Sequence, residues 1–142
     1  MPVLEQVLEK NPDDVKVVFK NYPLRNHKFA MKAAVAALAA GSEGKFWEFH
    51  DELYKNYNNL SDQKIREIAL GLGFDQAGFE KKMNDPKIAA MIRQDLQDGA
   101  QAGVRGTPTI FINGRRLKNR SLPGFQAAID KELQRLGKKS GS

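Results

Sequence analysis

One strand-like segment stands alone, far along the chain from any partner. Val15, Val17 and Phe19 alternate with Lys16, Val18 and Lys20, the period of a strand with one buried face. Asn21-Tyr22-Pro23 ends it. The next strand signal is at 109–113, Thr-Ile-Phe-Ile-Asn. There Asn113-Gly114 marks a two-residue hairpin and 115–118 the return strand. Residues 27–102, between them, read as helix and connecting turns. A strand cannot satisfy its backbone groups by itself. It must join the hairpin in one layer, with the helical block carried as an insertion. The expected fold class is therefore α/β with an all-helical insertion.

The helical readings are local. Val3, Leu4, Val7 and Leu8 form one apolar stripe, stopped by Asn11-Pro12-Asp13-Asp14. Residues 27–40 are alanine-rich and contain no breaker, with Gly41 expected just past the helix end. A second helix is expected over 44–57, placing Phe46, Phe49, Leu53 and Tyr57 on one face with Trp47 nearby. Ser61 is placed to cap 62–71, whose Ile65, Ile68, Ala69 and Leu72 face inward. Asp75 caps a short helix through Met83, and Pro86 opens a longer one to Ala102. After the hairpin, Leu122-Pro123-Gly124 leads into a last helix with Phe125, Ala128, Ile129, Leu133 and Leu136 on one face.

A chain of 142 residues can bury a core without staples, and this one reads as a single domain over 1–136 with a flexible tail at 137–142. No apolar run approaches the roughly 20 residues needed to span a bilayer. The Met1-Pro2-Val3 start lacks a basic and then apolar leader, so no signal peptide is expected. The net charge of +6 is unevenly placed. Residues 1–104 carry 14 Lys/Arg against 15 Asp/Glu, whereas 105–142 carry 9 against 2. A basic end can attract nucleic acid or anionic surfaces. No zinc-finger, RNA-recognition or KH signature accompanies it. A solvated edge with a basic tail is expected, with neither nucleic acid nor membrane as partner.

Cysteine is absent. These residues therefore contain no disulfide, zinc–thiolate site, iron–sulfur ligand or cysteine nucleophile. His27 and His50 are the only histidines, too few for a multi-histidine metal site. No metal and no cofactor is expected.

Four motifs in order carry a resemblance. Val17-Val18-Phe19-Lys20-Asn21-Tyr22-Pro23-Leu24 reads as a strand with an F-P-L type of exit. Ala33-Ala34 is followed by Gly44-Lys45-Phe46-Trp47-Glu48-Phe49-His50-Asp51. Leu72-Gly73-Phe74-Asp75 forms a turn. Gly103-Val104-Arg105-Gly106-Thr107-Pro108-Thr109-Ile110-Phe111-Ile112-Asn113-Gly114 closes the series. Together they span nearly the whole chain. The sequence resembles the DsbA-like thiol–disulfide oxidoreductases of the thioredoxin superfamily.

The resemblance also defines a departure. Family members begin with a strand running into Cys-Pro-x-Cys at a helix start, and residues 2–10 here look like the later part of that helix. The strand and both cysteines would lie before Met1, so the domain is expected to be incomplete, its sheet lacking a central strand. By resemblance that strand lies between residues 15–19 and 109–113. The family's first cysteine is a low-pKa thiolate exchanging through a mixed disulfide, which Ser, Thr or Lys cannot replace. Two unpaired edges facing a gap favour pairing between subunits. A homo-oligomer is expected, a dimer formed by strand exchange or by edge pairing.

The resemblance implies one surviving site, the loop of Arg105, Gly106, Thr107 and Pro108, with a cis-proline and a backbone ledge for bound peptide. The plainer reading of Pro108 is the start of an edge strand. Val104 and Arg105 read as a buried valine and a solvated arginine. His27 and His50 read as structural histidines, because no nucleophile or orienting group accompanies them. Phe46, Trp47, Phe49, Tyr54 and Tyr57 could line a groove, but their helical spacing favours core packing. Asp13-Asp14, Glu48/Asp51/Glu52 and Asp95/Asp98 lack matched partners and read as solvated faces.

Three functions follow as expectations. The first is a DsbA-family protein that acts on disulfides of protein or peptide substrates but is redox-inactive without its cysteines. No catalytic residue is assigned in it. The second is a cysteine-free peptide-binding or scaffolding module. The third, weaker, is a glutathione-using relative such as a kappa-class transferase or chromene-carboxylate isomerase, for which no catalytic serine is identifiable. Family resemblance also implies a periplasmic or extracytoplasmic setting.

Overall fold

The computed structural model describes residues 2–24 and 29–138. In chain order the elements are α1 (Pro2–Lys10), α2 (Ala30–Gly41), α3 (Phe46–Lys55), a 3-10 turn (Tyr57–Asn59), α4 (Asp62–Gly71), α5 (Gln76–Met83), α6 (Pro86–Gln101), β1 (Phe111–Ile112), β2 (Arg115–Arg116) and α7 (Leu122–Arg135). Among the described residues the fold is mostly helical, with a single small two-stranded sheet. The chain forms two compact units, one of Met1–Phe19 with Gly106–Ser142, the other of Lys20–Arg105. His27 and the end of the expected tail fall outside the described residues.

The first unit is built on α1 and α7. Val7, Phe125, Ile129 and Leu133 are buried together, and Val3, Leu4, Val15, Ile110, Ile112 and Leu117 pack against them. Leu8 and Leu136, assigned from periodicity to the inner faces, are 39% and 60% exposed. Both sit close to helix ends, where fewer neighbours can cover them. The hairpin pairs Phe111 with Arg116 and Ile112 with Arg115. Asn113 and Gly114 both have positive φ, 48° and 81°, the requirement of the tight turn whose twist suits a hairpin. Leu117 N–H donates to Ile110 O at 2.8 Å and extends the pairing one step.

Residues 15–19 do not form the expected strand. Among the described residues the segment joins no ladder. Its alternation survives only in part, with Val15 and Val17 half-buried but Val18 and Phe19 68% and 39% exposed. The pattern encodes a buried face, but a ladder also needs a neighbour to exchange hydrogen bonds.

Among its described residues the second unit has helices and no strand. Its core gathers Ala36, Ala39 and Ala40 of α2, Phe49 of α3, Ile65 and Ala69 of α4, Phe79 of α5 and Ile92 of α6, among others. The alanines are fully buried and let the neighbouring helices approach α2 closely. Caps appear where short polar side chains precede helices. Ser61, Asp75 and Asp85 accept from the backbone N–H groups of Lys64, Gly78 and Lys87.

The end of α2 corrects one expectation. Gly41 is the last helical residue rather than the turn beyond it. Gly44 takes the left-handed conformation at φ 75°, with Gly44 N–H on Gly41 O at 3.0 Å and Lys45 N–H on Ala40 O at 3.0 Å. Gly41 meets a different need, since a Cβ there would lie 3.3 Å from Phe46 Cβ. Helix α3 is correspondingly shorter than the 44–57 expected.

Candidate functional site

The 105–108 loop follows α6, and each side of it is anchored within its own unit. In the helical unit, Val104 N–H donates to Gly99 O at 2.8 Å as α6 closes. Tyr22 Oη donates to Val104 O at 3.0 Å. The Tyr22 ring lies over Gly99, where a Cβ would come within 2.8 Å of it. Asn21, 5% exposed, donates its N–H and its Nδ2 to Asp95 Oδ2 at 2.8 and 3.0 Å. Lys20 Nζ donates to Asp98 Oδ2 at 2.6 Å.

Asp95 and Asp98 therefore do not form a merely solvated face. They hold residues 20–21 against α6 while Tyr22 holds Val104. The sequence signals for this were the i, i+3 spacing of the two carboxylates and the small residue Gly99 one position on. Neither identifies the partner, which lies more than seventy residues earlier.

The hydrogen bond from Lys20, and after it that from Gln94, holds the Asp98 carboxyl below its ordinary range. The folded pKa is thus lower than the unfolded one. The stabilisation is present above the unfolded carboxylate range and is lost as pH falls through the folded value. Asp98→Asn is expected to flatten the acid side of the stability profile. Urea midpoints taken at about pH 6 and about pH 3 should differ less in the variant than in the parent. Equal differences would remove Asp98 from the acid response.

Arg105, at the end of the helical unit, is exposed, as its solvated reading expected, and Val104 is half-buried. In the other unit Gly106 is half-buried, Thr107 and Pro108 are exposed, and the Thr107–Pro108 peptide bond is cis. Thr109 Oγ1 donates to Gly106 O at 2.7 Å, and Arg120 Nη1 donates to Pro108 O at 3.0 Å. Those two carbonyls are satisfied. Between them, the backbone N–H and C=O of Thr107 have no hydrogen-bond partner among the described residues. Arg120 was not singled out in the sequence, where it reads only as one charge in a basic end.

Among the described residues no three His, Asp or Glu side chains come together as metal ligands. His50 stacks on Phe46 with ring centroids 5.9 Å apart, and its Nδ1 lies 3.5 Å from Asp51 Oδ1. That is a structural setting on α3. The aromatic cluster is not a single core. Phe49 is fully buried, whereas Trp47, Tyr54 and Tyr57 are 44%, 70% and 55% exposed. Helical spacing alone does not separate the two faces.

The thioredoxin family profile Thioredoxin_4, described as "Thioredoxin", matches residues 2–131. The chain belongs to this DsbA-like thioredoxin family. The crystal structure of the thiol-disulfide exchange protein alpha-DsbA2 from Wolbachia pipientis shares the fold at a TM-score of 0.78 and 24% identity. The match covers 92% of this chain and 72% of that one. Among curated proteins, the Na(+)/H(+) antiporter NhaA 3 of Salinispora tropica is 38% identical over 103 residues, 72% of this chain and 16% of the antiporter. NhaA 1 of Mycobacterium sp. strain KMS is 32% identical over 118 residues, 81% of this chain and 19% of that protein. The DsbA-like chain thus spans less than a fifth of the length of these antiporters. No helix among its described residues is long and apolar enough to cross a membrane.

Proposed function

We propose that this chain is the polypeptide-binding part of a DsbA-like thiol–disulfide exchange module and is redox-silent by itself. The observation that carries the reading is the exposed, unpartnered backbone pair of Thr107. An extended peptide can add its own N–H and C=O to such a pair, as a strand adds to a sheet edge. Gly106 and Pro108 frame the contact.

A second observation supports the exchange chemistry. Val15 on one segment and Ile110 and Ile112 on the other pack against the same α1–α7 cluster. No ladder joins the two segments, and Val18, Phe19 and Phe111 remain exposed. The arrangement has the character of a layer short of one strand. A Cys-bearing strand, in the same polypeptide or from a partner, would complete it, and edge pairing between two copies is the other way to cover it.

Joining a family-like strand and Cys-Pro-x-Cys segment ahead of residue 2 is expected to confer oxidation of a dithiol peptide, against none for the chain of 142 residues. A folded, extended protein without that activity would overturn the exchange reading. Peptide binding is tested separately on the chain itself. Saturable binding is expected, weakened about tenfold by N-methylation of the docked peptide amide, the loss of roughly one hydrogen bond. Thr107→Lys should weaken it as well. Binding unchanged by both would remove the ledge.

The rival reading, a cysteine-free tethered module, is favoured by the antiporter relatives, in which the matched stretch is a small part of a long polypeptide. Binding without restorable redox activity would select it.

A further inference from the structure

We propose that Arg120 makes the Thr107 ledge selective for polypeptide segments carrying an acidic side chain beside the docked amide. This selectivity rests on the reading of Thr107 as a peptide-pairing edge.

Arg120 lies twelve residues beyond Pro108 in the chain yet meets it in space. The turn that presents it is braced. Asn119 Oδ1 accepts from Ser121 N–H at 3.0 Å and from Ser121 Oγ at 2.7 Å. Ser121 Oγ accepts in turn from Gly124 N–H at 3.2 Å and caps α7. Gly124 allows the turn to sit this close to the helix, because a Cβ there would lie 2.6 Å from Asn119 Cγ and closer still to Asn119 O. The turn sets where the arginine side chain starts. The bond from Nη1 to Pro108 O at 3.0 Å sets where it ends, at the residue next to Thr107.

That bond uses one of the five N–H donors of a guanidinium. It fixes the group in place and leaves the edge carrying Nε and Nη2 without a hydrogen bond or ion pair among the described residues. Such an edge takes a carboxylate through two parallel bonds, which an ammonium cannot do. The acids of its own end of the chain are held elsewhere. Of the two in 105–142, Glu132 accepts from Arg135 Nε at 2.7 Å and lies 3.7 Å from Arg115 Nε, while Asp130 accepts from Gln126 Nε2 at 2.9 Å. With 9 Lys/Arg in that stretch, the field favours an acidic segment and opposes a basic one. An extended peptide turns alternate side chains to opposite faces, so only one or two of them can meet the guanidinium.

The test uses the full chain and short labelled peptides of one neutral, extended sequence. Glu, Gln or Lys is placed in turn at each position, and binding is read by fluorescence anisotropy. Expected is a gain of about fivefold for Glu over Gln at one position or two alternate ones, the size of an exposed ion pair, with no gain elsewhere. Lys at the same position should weaken binding. Arg120→Gln should abolish the Glu preference, and Arg120→Lys should keep part of it. Arg120→Glu should turn it into a preference for Lys. Far-ultraviolet circular dichroism checks that each variant is folded. A gain from Glu that is equal at every position overturns the proposal, since the general field would account for it. So does a Glu preference that survives Arg120→Gln, even with weaker binding of both peptides, because Arg120 would then only brace the loop. Neutral-peptide binding that is sensitive to N-methylation but indifferent to Glu leaves the ledge standing and overturns the selectivity alone. No binding of any peptide overturns both.

Discussion

Phe49→Ala is expected to lower the unfolding free energy of the helical unit by about 3–5 kcal/mol. Phe49 is fully buried and stacks on Phe79 with centroids 5.4 Å apart, while Phe79 meets Phe74 at 5.0 Å. Removing the first ring strips the second of a partner and leaves a void. The surroundings are poorly able to fill it, because Ala36, Ala39 and Ala40 on the neighbouring α2 carry only a methyl group, with no longer side chain to swing inward. The cavity term should therefore add to the lost transfer energy rather than relax away. Domains of this size are stable by about 5–15 kcal/mol, so the variant should be close to unfolding at 37 °C. Urea titration followed by far-ultraviolet circular dichroism measures it. Tyr54→Ala, one turn on but 70% exposed, should change stability by no more than about 0.5 kcal/mol. Similar losses for the two would contradict the division of α3 into a buried and an open face.

That division marks where sequence reading stops on this chain. Period 3.6 identifies α3 as a helix with one ring-rich face, but Phe46, Phe49, Trp47 and Tyr54 are all large and aromatic. Which of them is buried depends on where α2, α4 and α5 come to rest. Caps behave differently. Ser61 and Asp75 bond to backbone N–H groups three residues on, so the whole interaction lies within one turn of chain. The hairpin is equally local, because Asn113 and Gly114 carry the positive φ values that the turn needs. Elements whose reasons span four residues were readable.

The segment 15–19 failed for the converse reason. Alternating valines describe a side-chain environment, and a ladder is a property of two backbones. The same holds at the loop. The motif around Thr107 and Pro108 was visible, but its anchors were not, since Arg120 reads as a surface charge until it is seen donating to Pro108 O. Glu132 is a further case. An acidic residue defaults to solvent, yet its side chain is 9% exposed, held 2.7 Å from Arg135 Nε and 3.7 Å from Arg115 Nε. Buried acids become readable only once their cations are placed.

Asn11→Ala is expected to destabilise the α1–α7 unit by about 2–4 kcal/mol. The sequence presents Asn11 as the first residue of an Asn-Pro-Asp-Asp stop, but the structure buries it completely. Its Nδ2 donates to Val7 O at 2.9 Å and to Gln126 Oε1 at 2.9 Å, and its Oδ1 accepts from Gln126 Nε2 at 3.0 Å. Two side-chain amides face each other and exchange both hydrogen bonds, joining the end of α1 to α7. Truncation leaves Gln126 with a donor and an acceptor in a half-buried position where water has poor access, which costs more than the bonds themselves. Asn11→Asp should be worse than alanine. It keeps the shape but turns the donor into a second acceptor, opposite Val7 O and Gln126 Oε1, and brings a buried charge. The decisive measurement is a double-mutant cycle with Gln126→Ala, for which a coupling of about 1–2 kcal/mol is expected. A coupling near zero would mean that α1 is held on α7 by Val7, Phe125 and Leu133 alone, with the amide pair merely tolerated among them.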